Sequence, residues 1–188
     1  MWSPETDTAA GRLARIALTL AMAGLLAGCF QPLYGQQSLS GGPALGEALR
    51  AVDVAQINAP NGTPEARIGV EIRNALLFEI TGGSGSTNPT HRLNIQLSSS
   101  RQQLIVDIQT ARPDVENYGI NATYTLVDLA TGRVVVTGQT FSRVSFDIPG
   151  QEQRFARARG LRDAENRAAK VVADNIKSRL ASFFVAGT

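Results

Sequence analysis

The side chain best equipped for covalent chemistry in this sequence is a cysteine. Cys29 is the sole cysteine, and it closes the run Leu26-Ala27-Gly28-Cys29. Arg12 and Arg15 precede the apolar stretch Ile16–Leu26, which is shorter than the roughly 20 residues a membrane span requires. Charge, apolar run, small residues and cysteine in that order are the layout of a lipoprotein export signal. The small residues admit a signal peptidase, and the soft sulfur accepts a diacylglyceryl group. Residues 1–28 are therefore expected to be a removed signal, and Cys29 the lipidated first residue of the mature chain. The partly acidic stretch Met1–Asp7 ahead of it is unusual for such a signal.

Little else is set up for catalysis. His91 is the only histidine and stands at the start of a strand, where a surface residue is expected; no Cys/His cluster for zinc exists, and no serine has a histidine partner reachable by any motif. The glycines Gly82–Gly85 follow a helix, whereas a phosphate-cradling loop stands between a strand and the helix it opens. Asp163, Glu165 and Asp174 lie among arginines on one helix, a pattern that reads as solvated ion pairs. An enzyme is not expected, nor any cofactor beyond the covalent lipid on Cys29. The formal charge is +2, and losing residues 1–28 leaves it unchanged, since two arginines depart with Glu5 and Asp7. That is too mild for nucleic-acid binding.

The elements that must position any site follow from periodicity. The Gly-, Pro-, Ser- and Gln-rich segment up to Gly46 reads as a tether, residues 29–46, and residues 47–188 as one domain able to bury roughly two thirds of its unfolded surface. Leu49–Ile57 alternates and predicts a short strand. Thr63 offers an N-cap, Pro64 suits a first helical turn, and Ile68, Ile72, Leu76 and Ile80 share one face, so residues 64–80 predict a helix ended by Gly82–Ser86. Leu93, Ile95 and Leu97 begin a strand that resumes at Leu104, Val106 and Ile108, with a bulge expected in Ser98–Gln103. After a polar tip at Thr110–Asn117, Ile120, Ala122, Tyr124 and Leu126 alternate with polar residues. A turn at Asp128–Arg133 leads into a strand over Val134–Phe146. Leu161, Ala164, Ala168, Val172, Ile176, Leu180 and Phe183 mark the stripe of a long helix over 152–184. The expected fold is α+β, a two-layer sandwich in which two helices cover one face of a four-stranded, mostly antiparallel sheet in the order β-α-β-β-β-α. Ile68, Ile72, Leu76, Leu161, Val172, Ile176 and Leu180 should pack on Leu93, Ile95, Tyr124 and Leu126.

Three stretches, in this order along the chain, resemble the lipopolysaccharide-assembly lipoproteins of the LptE family. They are Phe30-Gln31-Pro32-Leu33-Tyr34-Gly35; Ala122-Thr123-Tyr124-Thr125-Leu126-Val127-Asp128 with Thr131-Gly132-Arg133; and Arg162-Asp163-Ala164-Glu165-Asn166-Arg167-Ala168-Ala169. Many relatives carry a glycine between the lipidated cysteine and the aromatic, whereas here Phe30 follows directly. The resemblance implies a protein that plugs the LptD outer-membrane β-barrel, assists its assembly and binds lipopolysaccharide in transit. Phe30 in place of an aspartate beside the cysteine, by resemblance to enterobacterial lipoproteins, implies the outer membrane, with the protein anchored by lipid on the periplasmic side of a Gram-negative bacterium. An accessory lipoprotein of another transport or secretion machine is the alternative, and a periplasmic hydrolase a more distant one.

Two surfaces follow from that implied role. A plug faces a wet, polar lumen, and the outward positions Asn121, Thr123, Thr125 and Gln139 are polar and uncharged, so Thr123 and Gln139 are expected to face the partner. Tracing the strands puts the Thr110–Asn117 tip and the start of the last helix at one end, away from the tether. That end gathers Arg112, Arg154, Arg157 and Arg159. Cations are disfavoured at a helix N-terminus, so the cluster needs either a role or an offsetting acid such as Glu152 or Asp147. Guanidinium forks bind phosphate bidentately, and Arg112 and Arg157, supported by Arg154, are expected to contact the phosphates of lipopolysaccharide.

Overall fold

The computed structural model describes residues 44–106, 113–147 and 154–186. Cys29, the expected signal and most of the expected tether lie outside them, as does Arg112. The elements, in chain order, are α1 (Leu45–Arg50), β1 (Val52–Val54), α2 (Pro64–Thr81), β2 (His91–Val106), β3 (Pro113–Asp128), β4 (Val134–Asp147) and α3 (Arg154–Ala186). The sheet order is β1-β2-β3-β4. β1 runs parallel to β2, while β2–β3 and β3–β4 are antiparallel. The fold is α+β with one mixed, mostly antiparallel sheet, as the periodicity implied, and the described residues form three helices where two were expected.

The added helix corrects the strand expected at Leu49–Ile57. Leu45, Ala48 and Leu49 recur at helical spacing, and all three are buried; only Val52–Val54 is extended. α1 packs against α2 and α3. A second correction concerns β2. Pairing runs without a break through Ser98–Gln103, and the register shifts fall later, between Gln103 and Ile105 and between Ile105 and Val106.

α2 begins as its sequence implied. Thr63 Oγ1 accepts from the Ala66 N–H at 3.3 Å, and Pro64 occupies the first turn, where a missing N–H costs nothing. Gly82 ends it at φ 73°, a conformation that suits glycine, with its N–H donating to Phe78 O and that of Gly83 to Leu77 O. The stripe Ile68, Ile72, Leu76 and Ile80 is buried. α3, with 33 residues, is about 50 Å long at the helical rise, which matches the length of β4 at the rise of a strand. It presents a buried stripe rich in small residues, Ala164, Ala168, Ala169, Ala173 and Ala181, alternating with Val172, Ile176 and Leu180. Those alanines let a helix lie close to the sheet.

On the sheet, Leu93, Ile95, Tyr118, Ile120, Ala122, Tyr124 and Leu126 face the helices and are buried. Leu161 only packs at the margin of this core. Gly138, opposite Tyr124, makes the ring's position possible: a Cβ there would lie 2.4 Å from Tyr124 Cζ and Oη.

Candidate functional site

The sheet face away from the helices is assembled by period-two alternation and cross-strand register. Gln96, Thr123 and Gln139 form one row across three strands, with Ser98, Asn121 and Phe141 beside it, and Ser100, Gly119 and Arg143 next. Asn94, Thr125 and Thr137 continue it on the other side. Thr123 and Gln139 are therefore direct cross-strand neighbours, and both are exposed. The centre of the face carries no carboxylate. Phe141 and Arg143 had not been singled out, although continuing the alternation from Gln139 leads to both. Phe141 is 61% exposed, and the Arg143 guanidinium carbon lies 5.2 Å from its ring centroid, a cation–π arrangement. The face thus combines hydrogen-bonding side chains with one aromatic–arginine pair, the residue types that anchor interfaces.

The second surface is the end where β3 and α3 begin. The register pairs Val106 with Pro113 and Val115 with Asp147, which places the end of β2, the start of β3 and the end of β4 together, and a contact from Arg157 to Glu116 brings the first turn of α3 to them. Arg157 Nη2 donates to Glu116 Oε1 at 3.1 Å. Glu116 is 5% exposed, while Arg157 keeps about half its side chain in solvent. Among the described residues the acid that offsets Arg157 is therefore Glu116, which had not been named; Glu152 lies outside the described residues. Of the three expected phosphate ligands, only Arg157 has a described side chain; Arg112 and the Arg154 side chain lie outside the described residues. Arg101, paired with Tyr118 across β2–β3 and exposed, adds a cation near this end that sequence reading missed.

Behind this end the core is polar. Ser99 donates from its hydroxyl to Glu65 Oε1 at 2.5 Å and from its N–H at 3.2 Å, and the Ser99 hydroxyl bond foremost holds the Glu65 carboxyl below its usual 4.5. Arg67 ion-pairs with Glu165 and donates to Asn166 Oδ1. Tyr118 Oη is buried without a hydrogen-bond partner, and burial pushes its pKa up. The expectation that the carboxylates of the last helix make solvated pairs holds for Asp163, which accepts from Arg167 one turn on. It fails for Glu165, which is buried and ties α3 to α2. Glu79 of α2, reached by Lys170 and Lys177 at 3.2 Å each, makes a further link.

The remaining inventory is plain. His91 opens β2, with Nδ1 2.8 Å from Thr90 Oγ1 and its ring edge-on to Phe184. Among the described residues no cluster of three or more His, Cys, Asp or Glu could hold a metal, and no helix is long and apolar enough to cross a membrane.

A family model described as lipopolysaccharide-assembly, LptE, matches residues 49–180. The chain belongs to the LptE family. The match spans both surfaces described above, from the end of α1 to the last turns of α3. No curated protein matches the sequence. Solved structures share the fold. A lipoprotein of Caulobacter crescentus is similar with a TM-score of 0.59 and 18% identity over 77% of this chain and 97% of its own. Rare lipoprotein B of Shewanella oneidensis gives 0.51 and 13% over 72% and 96%, and lipoprotein B of Nitrosomonas europaea 0.52 and 14% over 73% and 89%. LptE is a family of lipopolysaccharide-assembly lipoproteins, and a role in that assembly is this chain's coarse function.

Proposed function

We propose that this LptE protein is anchored in the outer membrane by acyl chains on Cys29, plugs the LptD barrel with its open sheet face, assists that barrel's assembly, and binds lipopolysaccharide at the arginine-bearing end. The observation that carries the docking part is the face itself. Around Thr123 and Gln139 it is polar, free of carboxylates and interrupted only by the Phe141–Arg143 pair. A porin-like lumen is polar and wet, so hydroxyl and carboxamide side chains can exchange water for lumen donors and acceptors at little desolvation cost, whereas charges could not. Phe141 supplies the apolar anchor that such a surface otherwise lacks.

The glycolipid part rests on Arg157. Its ion pair with Glu116 uses one terminal nitrogen, and the exposed remainder of the guanidinium is available to a phosphate. Neither a cofactor nor a nucleic acid takes part in this proposed role. Photocrosslinkers placed at Thr123 and Gln139 test it in cells: adducts with a large outer-membrane barrel are expected from both. Absence of a barrel adduct from either position, together with normal surface lipopolysaccharide after depletion of the protein, would transfer the chain to another transport machine.

A further inference from the structure

The cavity beside β1 brings cations together at a different place. Its volume is about 440 Å³, and Asp53, Gln56, Asn58, Arg73, Arg92 and Asn94 line it. β1 is a sheet edge. Arg73 comes from α2, on the helix side, and its Nε donates to the Val54 carbonyl at 3.1 Å. Arg92 comes from β2, on the open face, and its Nε donates to Asp53 Oδ2 at 3.0 Å. Two guanidinium groups therefore converge on one edge from opposite faces of the sheet, each held through Nε. Among the described residues, the hydrogen bonds of both run through Nε and leave the terminal amino groups without a partner. That is the half of a guanidinium that forms a fork with a tetrahedral oxyanion.

The structural contacts use up only part of this charge. Two guanidiniums against the single carboxylate of Asp53 leave one positive charge in a polar recess. The carboxamides of Gln56, Asn58 and Asn94 supply both donors and acceptors, which suits hydroxyl groups. The recess is several times the size of a single anion, a bound water occupying about 30 Å³.

We propose that this cavity is a binding site for a phosphate ester carried on a hydroxylated body, with Arg73 and Arg92 as the phosphate clamp and the carboxamides reading the hydroxyls. The site is separate from the arginine end and does not depend on the role given to Arg157. A sugar phosphate and a phospholipid headgroup share this chemistry, and two soluble probes distinguish them: glucose 1-phosphate, a monoester on a sugar, and glycerophosphoglycerol, a diester headgroup. Titration calorimetry on the full chain should detect binding of at least one. Arg92→Lys keeps the charge and removes the fork, and should weaken binding roughly tenfold, the worth of a charge-assisted hydrogen bond. Arg73→Gln should do the same, and the pair together roughly a hundredfold. An unchanged melting temperature of Arg92→Lys shows that its effect is not unfolding, and all titrations are read in a background carrying Arg157→Gln with Glu116→Gln, which removes the phosphate contact proposed at the other end. Preference for the monoester assigns the site to a sugar phosphate, and preference for the diester to a headgroup. The proposal is overturned if neither probe binds in that background, or if Arg92→Lys in that background binds unchanged.

Discussion

The pairing of Arg157 with Glu116 makes the obvious test of the glycolipid end a test of stability as well. Charge reversal at Arg157 looks harmless from sequence, because the residue is an exposed arginine near a helix start. In the structure it would set a second carboxylate against Glu116, whose side chain is 7% exposed. Arg157→Gln removes a charge-assisted bond to a buried carboxylate, a loss of about 1–2 kcal/mol once the half-exposure of the arginine is allowed for. Arg157→Glu turns attraction into repulsion near a poorly solvated group, and about 2–4 kcal/mol is expected in all. For a domain of this size that lowers the melting temperature by roughly 5–15 °C. Pairing Glu116→Gln with Arg157→Gln removes the buried charge together with its partner, and should return stability to within about 1 kcal/mol of the natural chain. Thermal unfolding of the natural chain, both Arg157 variants, Glu116→Gln and the double variant supplies the cycle, with a coupling energy of about 1–3 kcal/mol expected. If Arg157→Glu melts with the natural chain, Glu116 does not depend on Arg157, and the offset to the helix-end cations assigned here is wrong. The double variant is also the background in which lipopolysaccharide binding should be measured, because weaker binding there cannot be blamed on a disturbed core.

Three further outcomes are expected. Gly138→Ala forces a methyl into the Tyr124 ring and should cost about 1–3 kcal/mol, whereas in a Tyr124→Ala background the same change should be neutral or stabilising; equal effects in both backgrounds would refute the contact. The fold favours the ionised form of Glu65, whose pKa lies below 4.5, so its contribution is present above that value and disappears as pH falls through the lowered one. Glu65→Gln should therefore destabilise by about 1 kcal/mol at pH 7, and the difference in denaturant midpoint should close as pH falls through the lowered pKa. Finally, Cys29→Ala should abolish metabolic labelling by a fatty acid, and labelling that persists would remove the lipid anchor from the proposed function.

What the sequence determined by itself is local. The N-cap of α2 and its buried stripe, the alternation of β3, the Thr131-Gly132 turn and the long stripe of α3 are each decided within a few residues by backbone preference and spacing, so they could be read without neighbours. The polar outward row at Asn121, Thr123 and Thr125 belongs to the same class, because a strand's two faces are separated by period alone. Tertiary structure decided the rest. α1 has six residues, too few to be stable as an isolated helix, and its identity comes from the contacts of Leu45 and Leu49 with α2 and α3. Continuing a period-two pattern could list Phe141 and Arg143, yet only the register of β3 with β4 shows that they flank Thr123 and Gln139 on one surface. Glu116 and Arg157 are 41 positions apart, and Arg67 and Glu165 are 98 apart. No periodicity connects such residues. Their pairing follows from burial, since a carboxylate taken out of water must find a cation wherever the packed elements bring one.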